Sequence, residues 1–431
     1  MLNILSLLPS VGHRCTSYLN PPNVISNYLS VIWIGGLSLG LVPFYLKHLG
    51  SGQWGVAAIC VSAQSFFMML DAGLSQLMPR DIARAEGSPE RLNSTFLIYR
   101  RTYNSIAVIG FVVGQASTEW IIRNWINGGN GVPENTELAL RLMFTQFLFQ
   151  FSNNVNIGYW NGTQQQARAN LRQIAFVTCK HVMAVISVFI FPLNVLSYAA
   201  SFSLIAMIEY YSNRSAISRK LPIQETSQIT LDSVLLIYKE AGYIMVGVLV
   251  GILALQLDRI VLSRVLTVEI FGIYIIVLNL ALAFLQLQYP IMRALLPKMT
   301  VANDSSISKI LLSAVLFLCV APCFFAAAIA PWILDAWVGS ADVTEMGSDA
   351  LRLILISVGI NGIYQLIYQK MLILKSGRYI VGVNLAVLIV VCFVLLYLPL
   401  EIGATPFLGG VAWLAGALVQ LIFGLIWLRS R

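Results

Sequence analysis

The sequence predicts an all-α integral membrane protein of about twelve transmembrane helices, arranged as two six-helix bundles. Composition, hydropathy and an internal repeat support this fold class. Of the 431 residues, 58% are hydrophobic and only 11% are charged, and the mean hydropathy is +0.78. Ordinary soluble domains carry about a quarter charged residues. The composition therefore indicates a polytopic membrane protein.

Hydropathy divides the chain into twelve apolar stretches, each long enough to cross a bilayer as a helix. Short connections separate them, which is typical of a protein built mainly from membrane helices. The predicted spans are 24–46, 53–79, 102–123, 138–160, 173–193, 196–212, 241–262, 268–292, 309–332, 349–372, 380–400 and 407–428.

The two halves of the chain repeat one another. The run Ala139-Leu140-Arg141-Leu142-Met143 recurs 211 positions later as Ala350-Leu351-Arg352-Leu353-Ile354, and Trp54-Gly55 has a weaker echo at Phe271-Gly272. Two copies in the same orientation imply a parallel repeat about an axis along the membrane normal. The predicted organisation is an interfacial segment 1–23, a bundle 24–212, a cytoplasmic linker 213–240 and a bundle 241–431.

The basic residues follow the orientation rule of membrane proteins. If the N-terminus lies inside, inner loops and ends hold 18 Lys and Arg residues, whereas outer loops hold only Lys47, Arg123 and Arg264. Cytoplasmic loops carry the excess of positive charge, so both termini are predicted to be cytoplasmic. The formal net charge of +8 is spread over short loops, and we expect no nucleic-acid partner.

Several motifs resemble those of one transporter family. Between Leu49 and Glu86 the order is Leu-Gly, Trp-Gly, Leu-Asp-x-Gly-Leu and Arg-x-Ile-Ala, and the second half carries Gln256–Leu262, Phe271–Tyr274 and Trp337-Val338-Gly339. These motifs resemble the polysaccharide exporters of the multidrug/oligosaccharidyl-lipid/polysaccharide (MOP) superfamily. Within it, they are most similar to the Wzx-type flippases of O-antigen and other lipid-linked oligosaccharides.

The resemblance implies a function as well as a fold. It implies alternating-access translocation of an undecaprenyl-diphosphate-linked oligosaccharide across the bacterial inner membrane. The expected partners are that lipid-linked sugar, membrane lipids and other polysaccharide-assembly membrane proteins. Lipid II flippases of the MurJ kind carry a cationic cluster in their first helix, but span 24–46 has no arginine. That difference argues against a direct MurJ-type role.

Carboxylates within predicted spans are candidate ion-coupling sites. A charged side chain in hydrocarbon is costly and normally faces a bundle interior or a water-filled cavity. Asp71 lies inside a span that is expected to end at Pro79, and Asp258 lies in the seventh span. Either could bind a coupling proton or sodium ion, or form a structural ion pair between helices. Glu209 and Glu240 lie near cytoplasmic ends and are expected to be interfacial.

Cationic and amide side chains within spans are candidate substrate contacts. Arginine and lysine suit a diphosphate or an acidic sugar, and amides suit sugar hydroxyls. The competing explanations are snorkelling from helix ends and hydrogen bonding between helices. Lys180, near the middle of its span, is the hardest to explain structurally. The predicted substrate-binding residues are Lys180, Arg293, Arg141, Arg352, Lys370, Arg259, Asn153, Asn154 and Gln365.

We expect no cofactor, no metal site and no enzymatic activity. The sequence has no Walker A motif, and Cys319 and Cys323 share a helix face without a matching His or Cys pair elsewhere. A proton or sodium gradient is the expected source of energy. Two alternatives stay open, namely a small-molecule drug exporter of the same superfamily and a membrane-embedded glycosyl or acyl transferase.

Overall fold

The fold is all-α throughout the part of the chain that the computed structural model describes. That part covers residues 21–71, 73–127, 132–192, 194–219, 221, 250–301, 312–313, 315–374 and 376–430, and for 21–25, 76, 287–301, 372–373 and 400–402 the backbone alone. Within these residues there are fourteen helices and no strand.

Seven helices belong to the first half of the chain. They are α1 (Pro21–Gly40), α2 (Val42–Met68), α3 (Leu74–Ala85), α4 (Pro89–Asn124), α5 (Thr136–Gly162), α6 (Gln166–Ile190) and α7 (Val195–Ser218). The second half contributes α8 (250–265), α9 (Val268–Val301), α10 (Leu316–Ala328), α11 (Ala330–Val338), α12 (Ala341–Ile373), α13 (Gly377–Ile402) and α14 (Phe407–Arg429).

Glycine positions the breaks near the start of the chain. Gly50 has φ 76° and ψ 164° and interrupts the helical path of α2, at the turn that the sequence places between the first two spans. Gly73 has φ 88° and precedes α3. Positive φ is readily adopted only by glycine. The predicted end of the second span at Pro79 is therefore wrong, because the helix breaks at Met69–Gly73 and Pro79 lies inside α3.

The twelve predicted spans all fall on helices where the structure describes them. Seven helices are long and apolar enough to cross a membrane, or eight if the pair α10 and α11, bent by 77°, forms one broken span. Helix α7 continues through Asn213 to Ser218, which is six residues into the predicted linker 213–240. Residues 222–249, which include Glu240, lie outside the described part.

The internal repeat extends over whole helices. Moving the bounds of α6 and α7 by 211 positions gives 377–401 and 406–429, which match α13 and α14 almost residue for residue. The packing repeats as well, because α5 lies against α7 and α12 lies against α14. We refer to the helices up to α7 as the N-lobe and to those from α8 onward as the C-lobe.

The lobes meet where α2 packs against α9. A Cβ atom on Gly55 would lie 2.1 Å from the carbonyl oxygen of Val268, and one on Gly272 would lie 3.1 Å from the Gly55 Cα. The indole Nε1 of Trp54 donates to the carbonyl of Gly272 at 3.3 Å. The two glycines that echo each other in the sequence thus lie in contact, and their missing side chains permit this close approach.

Candidate functional site

A buried ion pair lies between α6 and α7 of the N-lobe. The Nζ of Lys180 is 3.0 Å from Oε2 of Glu209, and the two residues are only 6% and 7% exposed. Helix α7, which carries the carboxylate, begins at a cap in which the Asn194 side chain accepts from the backbone N–H of Leu196 at 3.0 Å. The interior of the lobe therefore holds one cation and one anion that neutralise each other.

Amides extend this ion pair into a network. The Nδ2 of Asn153 donates to Oε1 of Glu209 at 3.0 Å. The Oδ1 of Asn153 then accepts from Asn156 and Asn213, at 3.0 Å each. Asn153, Asn156 and Asn213 are all buried. Buried amides are costly unless they are hydrogen-bonded, and here each one bonds to another member of the set.

The network continues toward Arg172 on the first turns of α6. The guanidinium Nε of Arg172 donates to Oδ1 of Asn213 at 2.6 Å, and the group lies over the Trp160 ring, 5.6 Å from its centroid. Arg172 and Lys180 are eight residues apart, which places them on one face of α6. Side chains of α5 and α7 thus connect Lys180 to Arg172 through an unbroken series of hydrogen bonds. We call Lys180, Glu209, Asn153, Asn156, Asn213 and Arg172 the N-lobe network.

Two of the sequence predictions concern this network. Lys180 and Asn153 were predicted as substrate contacts, and the structure places them within one hydrogen bond of the same carboxylate. Glu209, by contrast, is expected from the sequence to be interfacial and is not among the predicted contacts, yet the structure buries it inside the N-lobe beside Lys180. The spacing of Glu209 and Asn213, four residues apart on one helix face, was the signal in the sequence that could have identified it.

The C-lobe carries uncharged amides on the helices that correspond to α5 and α7. Asn361 on α12 donates to Oε1 of Gln420 on α14 at 2.9 Å, and Gln365 donates to Asn361 at 3.3 Å. The repeat distance of 211 relates Gln420 to Glu209, and it relates Val391 to Lys180. The C-lobe thus has an amide where the N-lobe has an acid, and a valine where the N-lobe has a lysine.

Asp258 forms a second buried site, in the C-lobe. It is 2% exposed, and its Oδ2 accepts from the Tyr274 hydroxyl and from the Trp413 indole, the latter at 2.9 Å. The other oxygen, Oδ1, is buried without a hydrogen-bond partner among the described residues. The neighbouring Arg259 instead donates to Gln256 at 2.7 Å. Asp258 is therefore held by two aromatic donors and keeps one oxygen available.

Asp71 lies at the break between α2 and α3. Its Oδ1 accepts from the Tyr103 hydroxyl at 2.6 Å, and its Oδ2 accepts from the backbone N–H and the hydroxyl of Ser75, at 3.2 and 2.8 Å. The carboxylate thus bonds to a free N–H at the start of α3, as helix caps do. Both of its oxygens have partners, and the side chain is only partly buried.

The remaining predicted cations lie away from both sites. Arg141 pairs with Glu137 at 2.9 Å and Arg352 with Asp349 at 2.8 Å, each within its own helix and partly exposed. Lys370 is exposed. These positions agree with snorkelling or surface pairing rather than with a common interior cluster. The half-buried Asn154 lies on α5 beside Asn153, and the side chain of Arg293 lies outside the described residues.

A cavity of about 700 Å³ lies between the lobes, beside the contact of α2 with α9. Its lining includes Trp54 and the charged side chains of Lys47, Glu269 and Asp342. Among the predicted substrate-binding and ion-coupling residues whose side chains the structure describes, none lines this cavity. The buried charges therefore lie inside the lobes, not in the described space between them.

Comparison with known proteins identifies solved structures that have a similar fold. No protein-family model matches the chain, and no curated sequence matches it. Among solved structures, an inward closed conformation of the lipid II flippase MurJ matches with a TM-score of 0.76 at 13% identity, covering 94% of this chain and 87% of the other.

Two conformations of a multidrug-resistance MATE transporter of the MOP superfamily also match. The inward-facing form has a TM-score of 0.68 at 12% identity, covering 95% of this chain and 98% of the other. The outward-facing form has a TM-score of 0.61 at 16% identity, covering 95% and 93%. The chain is thus a multi-pass membrane protein with the two-lobe, twelve-helix fold of MOP-superfamily transporters.

Proposed function

We propose that this protein flips an undecaprenyl-diphosphate-linked oligosaccharide, an O-antigen or related repeat unit, across the bacterial inner membrane by alternating access. The bundles 24–212 and 241–431 are the two moving lobes, joined by the linker 213–240, with both termini in the cytoplasm. The fold shared with a lipid II flippase supports translocation of a lipid-linked substrate. The protein acts as a transporter and not as an enzyme.

The N-lobe network is the observation that carries this proposal. An ammonium group and three amides lie together inside helices whose buried side chains are mostly apolar. Charged residues inside membrane helices mark substrate or ion pathways. The diphosphate needs cationic donors and the sugar hydroxyls need amides, and α5, α6 and α7 supply both chemistries within a few ångströms.

Asp258 is the proposed ion-coupling residue. A carboxylate with an unpartnered buried oxygen has an open position for a proton or a sodium ion, whereas both oxygens of Asp71 already accept hydrogen bonds. Hard cations such as sodium prefer oxygen ligands. We therefore assign coupling to Asp258 and assign to Asp71, the other carboxylate predicted for this role, the capping of α3.

The proposal is tested in a strain that lacks the gene. Undecaprenyl-linked sugars should accumulate on the cytoplasmic face of its inner membrane, and the wild-type gene should restore their export. Extraction of lipid-linked sugars from right-side-out and inside-out vesicles measures this distribution. An unchanged distribution between the two faces in the deletion strain would rule the function out.

A drug exporter is the second candidate, and the surroundings of Asp258 favour it specifically. A carboxylate between the aromatic side chains of Tyr274 and Trp413 would suit an organic cation through charge and ring contacts. MATE transporters share the fold. Under this reading, cells that express the protein extrude cationic dyes faster than cells without it, and Asp258→Asn removes the difference.

A further inference from the structure

The partners of Glu209 resemble the donors of an oxyanion-binding site. One carboxylate oxygen accepts a hydrogen bond from the ammonium group of Lys180, and the other accepts one from the side-chain amide of Asn153, each at 3.0 Å. A phosphate or sugar carboxylate would require the same two donors, since charge-assisted bonds to an oxyanion are the strong ones. In this conformation the protein's own carboxylate fills the position.

The C-lobe shows that the helix packing does not require this ion pair. Helices α12, α13 and α14 repeat the arrangement of α5, α6 and α7, yet Val391 and Gln420 replace the lysine and the acid. Val391 packs toward α14, with its Cγ2 3.3 Å from the Cβ position of Gly416. Both charges are absent together in one copy and present together in the other.

The energetics of a buried ion pair determine what happens to Lys180 when Glu209 is removed. Two opposite charges in a low-dielectric interior hold each other, and removal of one leaves the other uncompensated. A lone buried Lys180 would draw in another anion. An anion that arrives while Glu209 is in place must instead compete with it for the same donors.

We propose that Glu209 is an internal competitor for an oxyanion site on Lys180 and Asn153, and that an anionic group of the substrate displaces it during transport. The ligand class is a diphosphate, either the one that links sugar to lipid or a free one. This inference rests on the proposed function for the identity of the anion. The exchange keeps Lys180 paired with an anion in both states.

The experiment measures binding of inorganic pyrophosphate to the purified full-length protein in lipid nanodiscs. Glu209→Gln keeps the side-chain shape and removes the competing charge, so it should bind pyrophosphate about tenfold or more tightly than wild type. The control is the double variant Lys180→Val with Glu209→Gln, which copies the C-lobe residues. It should bind no more tightly than wild type.

Two results would overturn the inference. One is a Glu209→Gln variant that binds pyrophosphate no more tightly than wild type. The other is a double variant that binds as tightly as Glu209→Gln, because the gain would then not depend on Lys180. If Glu209→Gln yields no folded protein, Glu209→Asp replaces it, since the shorter side chain withdraws from Lys180. The aspartate variant should show a smaller gain, and binding equal to wild type would refute the exchange.

The same preparation separates this inference from the proposed function. Undecaprenyl diphosphate is added in a parallel arm, and the lipid-linked oligosaccharide is tested for flipping by wild type. If Glu209→Gln gains pyrophosphate affinity while wild type moves no lipid-linked sugar, the exchange stands and the proposed substrate is wrong. If wild type flips the sugar and the variant gains nothing, the exchange is wrong and the function stands.

Discussion

Buried charge is the decisive feature at the scale of single residues. The N-lobe network keeps its lysine and its acid in contact, and Asp258 in the C-lobe is held by two hydrogen-bond donors. Breaking a buried pair by removing one partner costs about 3–5 kcal/mol, because the remaining charge is left uncompensated. The effect of a variant therefore depends on whether it leaves a charge behind.

We predict that Lys180→Ala abolishes transport and lowers thermal stability, because Glu209 is left buried without its cation. Lys180→Arg keeps a charged donor and should retain part of the activity. Transport assays and thermal unfolding of the purified variants measure the two effects. Arg123→Ala, which removes an exposed cation on α4, is the matched control and should change neither. Full activity of Lys180→Ala would contradict the assignment.

The two predicted coupling carboxylates give opposite expectations. Asp258→Asn should make transport independent of the ion gradient, because an amide cannot bind a proton or sodium ion in the same way. Asp71→Asn should keep that dependence and lower stability by less than about 1 kcal/mol, because asparagine caps a helix about as well as aspartate does. Transport rates with and without an imposed gradient distinguish the variants. Loss of ion dependence in Asp71→Asn alone would reverse the assignment.

Some residues of these sites can be predicted from the sequence and others cannot. Lys180, Asn153 and Asp258 are identifiable because each is polar within an apolar stretch. The burial of Glu209 was not anticipated, because hydropathy ends its span at 212, whereas the helix runs to Ser218. The hydrogen-bond partners of Asp71 could not be predicted, since Tyr103 is 32 residues away and reaches it only through the fold.

At the scale of helices, hydropathy locates the elements and glycine locates the breaks. The turn at Gly50 follows from the glycine-rich sequence, and the observed helix bounds lie close to the predicted spans for α5, α13 and α14. The sequence does not predict the break before α3, because the apolar run continues past it and the proline at position 79 indicates a later helix end. The break instead lies at Gly73, which has a left-handed conformation. The backbone conformation of a glycine within an apolar run cannot be predicted from the sequence.

We predict that Gly55→Ala strongly reduces transport. Its new methyl group would collide with the backbone of α9 at Val268, so the lobes could not approach each other as they do here. Gly35→Ala is the control, because nothing lies within 4 Å of its Cβ position, and it should behave as wild type. The transport assay is run at matched membrane expression. Equal activity of the two variants would show that the close approach of α2 and α9 is not needed.

The whole molecule is a pair of related lobes joined along α2 and α9. The sequence repeat predicted this symmetry, and the structure extends it from a five-residue motif to entire helices. The difference between the lobes could not be anticipated in the same way. Only once the repeat distance is applied to α7 and α14 does Gln420 appear as the counterpart of Glu209.

The orientation of the molecule is also open to test. The distribution of Lys and Arg predicts that Lys47 faces the outside and Arg168 the cytoplasm. A cysteine at position 47 should react with a membrane-impermeant thiol reagent in intact cells, and one at 168 only after the membrane is opened. Wild type, with its native cysteines, gives the background labelling. Labelling of position 168 in intact cells would invert the topology.

Flipping in vesicles that contain only the purified protein tests the central claim most directly. The vesicles carry an undecaprenyl-diphosphate-linked oligosaccharide in both leaflets, and a sugar-modifying enzyme outside reports how much of it becomes accessible. We predict that wild type moves the inner pool outward under a proton or sodium gradient, whereas Lys180→Ala moves none. Accessibility that stays at the level of protein-free vesicles under either gradient would contradict the account.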